Sequence, residues 1–119
     1  MFANDDARAS QIGPSGSARI AELNDRLRCS GAGGRMAITQ GILATGSAVA
    51  ILAMVRAFAA FDADNDPYGE HDFGSLDCGG EKVFWKIECY DQAMEFGSPD
   101  PGDPTVTCRV LTIMLASEY

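Results

Sequence analysis

The side chains with the most chemical potential lie between residues 62 and 72, in the run DADNDPYGEHD. Asp62, Asp64 and Asp66 match positions 1, 3 and 5 of a calcium loop, where alternate carboxylates meet one hard cation. The match then fails. Pro67 stands where a glycine should make the sharp turn, and Phe73 where a bidentate glutamate should close the shell. The same aspartates suit an acidic turn, accepting hydrogen bonds from local backbone amides. Glu70-His71-Asp72 contains the single histidine. A general base needs a partner that orients it. On an extended chain His71 points away from both neighbours, so spacing alone supplies no such partner. There is no G-x-S-x-G elbow and no H-E-x-x-H run. A metal-dependent hydrolase using Asp64, Asp66, His71 and Asp72 is the alternative reading. It requires these groups to converge in a pocket around an ion.

Gly31-Ala32-Gly33-Gly34-Arg35 has the glycine density of a phosphate loop. It lacks the G-K-[ST] ending and follows a helical pattern rather than a strand, so it reads as a helix stop. Cys29, Cys78, Cys89 and Cys108 show no C-x-x-C spacing, which argues against zinc. The N-terminus carries Asp5 and Asp6 where a secretory leader would need basic and then apolar residues. The expectation is a cytoplasmic protein with reduced, mostly buried thiols. No catalytic residue, metal ligand or cofactor is assigned.

The net charge of −8 is unevenly spread. Residues 1–61 are slightly basic, residues 104–119 balance, and residues 62–103 set twelve acids against Lys82 and Lys86. A field of one sign repels nucleic acid and anionic lipid and attracts basic protein surfaces. Direct nucleic-acid binding is therefore disfavoured, since it rests on Lys and Arg neutralising phosphates. The most apolar stretch, Ile42 to Phe61, is interrupted by Thr45-Gly46-Ser47 and Arg56. It falls short of the roughly 18 consecutive apolar residues of a membrane span.

The elements that must position these residues follow from periodicity. Residues 1–18 read as a flexible tail and 19–119 as one domain. Ile20, Leu23 and Leu27 mark one helix face over 19–29. Arg35 to Gln40 alternates as a short strand, and Ser47 is the expected N-cap of a helix from Ala48 to Phe61. Phe73 to Cys78 and Glu81 to Tyr90 form a hairpin across Gly79-Gly80. Val83, Trp85, Ile87 and Cys89 face the core, and Phe84, Lys86, Glu88 and Tyr90 the other side. Ala93 to Gly97 is expected as a third meander strand. Asp103-Pro104 is expected to start a final helix whose stripe is Val106, Val110, Ile113 and Met114. The order helix, strand, helix, three strands, helix predicts an α+β fold, an antiparallel sheet of about four strands with helices mainly on one face.

Several runs carry a family resemblance: Leu23-Asn24-Asp25-Arg26, Asp64-Asn65-Asp66-Pro67, Glu70-His71-Asp72-Phe73-Gly74 and Phe84-Trp85-Lys86-Ile87. Gly97-Ser98-Pro99-Asp100-Pro101, Asp103-Pro104 and Arg109 to Ala116 continue them. From about Arg19 onward the chain resembles a bacterial family catalogued as domain of unknown function 3768. The resemblance implies a stand-alone single-domain protein, often carried among accessory and mobile genes. It transfers no catalytic residues.

The leading expectation is a non-enzymatic acidic interaction protein. Its partner would be a basic protein surface, such as that of a nucleic-acid-binding complex. Carboxylates in sites built for phosphates would make it a DNA mimic, for example an anti-CRISPR or anti-restriction inhibitor of host defence. Asp64, Asp66, Glu70, Asp72, Asp100 and Asp103 are the expected contact carboxylates, and Phe84 and Tyr90 the expected aromatic anchors. A homodimer is a further reading, with the edge of the Met36–Thr39 strand or the last helix as its contact.

Overall fold

The computed structural model of the chain describes residues 14–119. The expected tail therefore lies mostly outside the described residues, and helix α1 (Pro14–Ser30) begins five residues earlier than its apolar spacing indicates. Pro14 suits the first helical position because its missing N–H would have no partner there. Ala21, Leu23, Asn24, Leu27 and Arg28 form the buried face of α1. The helix closes where Gly31, at φ +80°, donates its N–H to the Leu27 carbonyl at 2.8 Å.

Strand β1 (Arg35–Ile38) leads into a short helix α2 (Gln40–Ala44), whose N-cap is Thr39. Helix α3 (Ala48–Ala57) follows. Ser47 stands at its N-cap position but makes no side-chain cap hydrogen bond. The helix stops four residues short of Phe61. The reason is Arg28, whose Nη1 donates to the carbonyls of Val55 (3.1 Å), Arg56 (3.3 Å) and Phe58 (2.8 Å). A buried guanidinium thus satisfies the carbonyls that a further helical turn would have used.

The hairpin forms as its pattern dictates: β2 (Phe73–Cys78) pairs with β3 (Glu81–Tyr90) in antiparallel register, from Phe73 opposite Lys86 to Cys78 opposite Glu81. Gly79 and Gly80 both take positive φ, the requirement of a two-residue turn that matches the twist of the strands.

The C-terminal segment differs from expectation. Cys108–Leu115 is a strand, β4, and not a helix. Thr107, Arg109, Leu111 and Ile113 are buried in strict alternation, a period-two pattern that a polar Thr and Arg conceal. Burial of Met114 as well lets the apolar residues imitate helical spacing. Asp103 caps a turn instead of a helix, accepting from the Thr105 amide and hydroxyl. The expected strand at Ala93–Gly97 reduces to an isolated bridge between Tyr90 and Gly97. There Asp91 accepts from the amides of Glu95 and Phe96 and curls the segment into a loop.

β4 runs antiparallel to β3 and parallel to β1, giving the order β1-β4-β3-β2. The fold is α+β with a mixed sheet, not a wholly antiparallel one. β4 is an interior strand, so it offers no free edge, whereas β1 lies at an edge. Leu27, Ile42, Ile51 and Val55 from the helices meet Val83, Trp85, Ile87, Leu111 and Ile113 on one sheet face. Each such side chain contributes about 1.5–3 kcal/mol by leaving water. On the other face Phe73, Phe84 and Tyr119 pack edge to face at centroid distances of 5.2 to 6.1 Å. No cysteine is fully buried as expected: Cys29 is exposed, and Cys78, Cys89 and Cys108 are half-buried free thiols.

Candidate functional site

α1 places Asn24, Asp25 and Arg28 within two turns, facing the ends of the strands. Asn24 is buried and serves two partners. Its Nδ2 donates to the Glu70 carbonyl at 2.9 Å, and its Oδ1 accepts from Arg109 Nε at 2.6 Å. Arg109, also buried, donates through Nη2 to the Pro101 carbonyl. The loop before β2 and the loop before β4 are thereby fastened to one another through a single Asn–Arg pair. Both loops carry acids, Asp62, Asp64, Asp66, Glu70 and Asp72 in the first and Asp100 and Asp103 in the second.

His71 forms the second fastening. Its Nδ1 lies 3.0 Å from both carboxylate oxygens of Asp25, and Asp25 Oδ1 also accepts from Arg28 Nη2 at 2.9 Å. The imidazole stacks on Phe61, with centroids 3.9 Å apart and planes parallel within 1°. Arg28 lies over the rings of Phe61 and Trp85 at 5.4 and 5.2 Å, a cation–π arrangement in a buried setting. His71 takes φ +55°, an uncommon backbone state for a residue other than glycine. Asp66 explains how it is held: Oδ1 accepts from the amides of Glu70 and His71, each at 3.1 Å.

Asp66 Oδ2 lies 3.6 Å from His71 Nε2, within ion-pair range but too long for a hydrogen bond. The two carboxylates face different ring nitrogens, so they straddle the imidazole and do not converge on one point. Asp62 Oδ1 accepts from the amides of Asp64 and Asn65, both at 2.9 Å, the geometry of an acidic turn. Among the described residues, no three His, Cys, Asp or Glu side chains are grouped to hold a metal ion.

The expected contact carboxylates divide. Asp64 and Asp100 are exposed, and Glu70, Asp72 and Asp103 half-exposed. Asp66 differs from them: it is 9% exposed and its Oδ1 accepts from two backbone amides, so its carboxylate holds the loop. Partial burial, together with the negative charges of Asp72 and Asp66, raises the Glu70 pKa. Burial also raises Asp72, with Asp66 adding to the effect and His71 and a backbone amide opposing it. At both carboxylates burial is the larger cause and the neighbouring acids the smaller. Asp103 is instead lowered by the hydroxyl and amide of Thr105.

Phe84 is half-buried under Tyr119, and Tyr90 donates its hydroxyl to Glu88 Oε1 at 2.8 Å. Neither belongs to the Asn24–Arg109 network. Sequence reasoning missed the part played by Asn24, Asp25, Arg28 and Arg109. Their signal was present: Asn24 and Arg28 share a helix face with Leu23 and Leu27, and Arg109 keeps step with Leu111 and Ile113.

Fold and site together define a small α+β protein whose two acidic loops are clasped by a buried polar network. No helix among the described residues is long and apolar enough to cross a membrane. The chain belongs to DUF3768, a family of proteins of unknown function, whose profile matches residues 38–118. No curated protein and no solved structure gives a significant match.

Proposed function

We propose that the chain is a non-enzymatic interaction protein whose acidic end engages a basic protein surface. The observation that carries this reading is the Asn24–Arg109 pair, which fixes Glu70 and Pro101, and with them two acidic loops, to one scaffold. Asp64, Glu70, Asp72, Asp100 and Asp103 are the carboxylates of this surface. Asp66 adds negative charge beside Glu70 and Asp72, which a cationic group brought close would offset, although burial is the larger cause of both raised pKa values.

The basic partner that fits best is one built to hold phosphates, so that the protein acts as a DNA mimic in the cytoplasm. An inhibitor of a nucleic-acid-handling defence complex, of anti-CRISPR or anti-restriction type, is its concrete form. Affinity capture from the source cells at low and moderate salt tests the reading. Release of a nucleic-acid-binding complex by salt supports it, because exposed charge pairs are screened. A partner held equally well at both salts, with no basic surface, would contradict it.

A further inference from the structure

We infer that Tyr68 and Phe96 are aromatic anchors of the acidic surface and take arginine side chains of the basic partner, an inference that rests on the proposed function. Tyr68 is 79% exposed and Phe96 72%. Tyr119 is exposed to a similar degree, but its ring already packs on Phe73 and Phe84. Interfaces concentrate aromatic residues, and their strongest contacts are enriched in Tyr, Trp and Arg.

Each ring is carried by a loop wound on one aspartate. Around Tyr68, Asp66 Oδ1 accepts from the amides of Glu70 and His71, and the Asp66 carbonyl accepts from the Gly69 amide, all at 3.1 Å. Around Phe96, Asp91 Oδ1 accepts from the amides of Glu95 (3.0 Å) and Phe96 (3.4 Å). The Asp91 amide in turn donates to the Phe96 carbonyl at 2.8 Å. A ring on a backbone fixed in this way loses little freedom on binding. Both loops reach Cys89, near the end of β3. The Ser98 amide donates to the Cys89 carbonyl at 2.9 Å. Burial pushes the Cys89 thiol up, Arg109 opposes this, and the nearby charges of Glu70 and Asp72 add to the rise.

Charge decides the kind of side chain that meets these rings. Asp64, Glu95 and Asp100 are exposed in the same loops, and Glu70 is half-exposed. The cations around them are already engaged. Arg28 and Arg109 are buried and hydrogen-bonded, Arg19 pairs with Glu22 at 2.6 Å, and Lys86 with Glu88 at 3.3 Å. Lys82 stands opposite Asp77 beside the hairpin turn. An exposed ring in an acidic loop suits a guanidinium better than an ammonium. The guanidinium plane stacks on the ring while its N–H fork reaches a carboxylate, whereas an ammonium is a compact, strongly hydrated point charge. The chain makes this pairing in its own interior, where Arg28 lies over Phe61 at 5.4 Å and donates through Nη2 to Asp25 at 2.9 Å.

Calorimetric titration of the full chain with oligo-arginine and with oligo-lysine of equal length tests the inference. The parent chain should bind the arginine peptide more tightly. Tyr68→Ala and Phe96→Ala should each weaken that binding about two- to fivefold, the worth of one exposed cation–π contact. Both should leave the affinity for the lysine peptide unchanged. Tyr68→Phe keeps the ring and should bind as the parent does, whereas Phe96→Leu keeps only apolar bulk and should bind as Phe96→Ala does. Circular dichroism checks each fold, and if an alanine variant unfolds, Tyr68→Phe and Phe96→Leu decide. Equal affinity of the parent for the two peptides, or alanine variants that hold the arginine peptide as tightly as the parent, would overturn the inference and leave the acidic surface standing. Binding of neither peptide would overturn both.

Discussion

Arg109 on β4 donates Nε–H to Oδ1 of Asn24 on α1 at 2.6 Å, across 85 residues of sequence and with both side chains out of water. Asn24 Nδ2 donates to the Glu70 carbonyl, and Arg109 Nη2 to that of Pro101. The pair is the junction at which the helix, the sheet and both acidic loops meet.

Replacing Asn24 by Ala leaves Arg109 Nε and the Glu70 carbonyl without partners in a buried place. Unsatisfied buried groups cost about 1–3 kcal/mol each, so Asn24→Ala should destabilise the fold by roughly 2–6 kcal/mol on the same basis. Urea unfolding would read this as a lower midpoint. Loop amides of residues 69–72 and 100–103 should lose hydrogen-exchange protection together. Loss in only one loop would mean that the two are not held by a common junction.

Gly74 faces Trp85 across β2 and β3, and a side-chain carbon there would overlap the indole. Trp85 is fully buried among core residues and cannot move aside. Overpacking of this kind costs about 1–3 kcal/mol. Gly74→Ala should therefore lower Tm and shift the tryptophan emission. An unchanged emission spectrum would place the indole elsewhere.

Glu118 ties the C-terminus to the start of α2. Its carboxylate accepts from the Thr39 hydroxyl (2.7 Å), the Gly41 amide (3.1 Å) and the Leu115 amide (2.8 Å). The Thr39 and Leu115 bonds above all hold its pKa below 4.5. A carboxyl lowered on folding adds stability that is present above its unfolded value and lost as pH falls through its folded value. Glu118→Gln should remove that part of the acid-side dependence, seen as a smaller fall in Tm below pH 4.5 than in the parent chain. Identical acid limbs in the two proteins would contradict the tie.

Glu70 and Asp72 act with the opposite sign. Burial and neighbouring acids raise both above their ordinary values of 4.5 and 3.8. The folded chain then holds their protons more tightly than the unfolded chain, so stability declines as pH rises from those ordinary values through the raised ones. Glu70→Gln and Asp72→Asn should each raise Tm at neutral pH and leave it nearly unchanged in acid. A Tm gain that is the same in acid as at neutral pH would show that the cost of the ionised carboxylates is not the cause.

Legibility in the sequence followed the range of each interaction. The β2–β3 hairpin was readable to the residue, because the Gly79-Gly80 turn and the alternation of Val83, Trp85 and Ile87 are local signals. β4 was not, because Thr107 and Arg109 occupy core-facing positions and Val106, Val110, Ile113 and Met114 fit a helix equally well. The end of α3 at Ala57 depends on Arg28, far away in sequence, which periodicity does not register. The acids at 62–72 and 98–103 were visible singly. That Asp66 turns inward, and that Asn24 and Arg109 join the loops, follow only from tertiary contacts.

In the proposed function the carboxylates of the two clasped loops present one surface to a basic partner. Its most direct test is binding of the captured partner to a chain in which Asp64, Glu70, Asp72, Asp100 and Asp103 are all changed to Lys, with the fold verified. Binding should be lost in that variant, and the partner's own nucleic acid should displace the parent chain. Undiminished binding by the charge-reversed chain would contradict it.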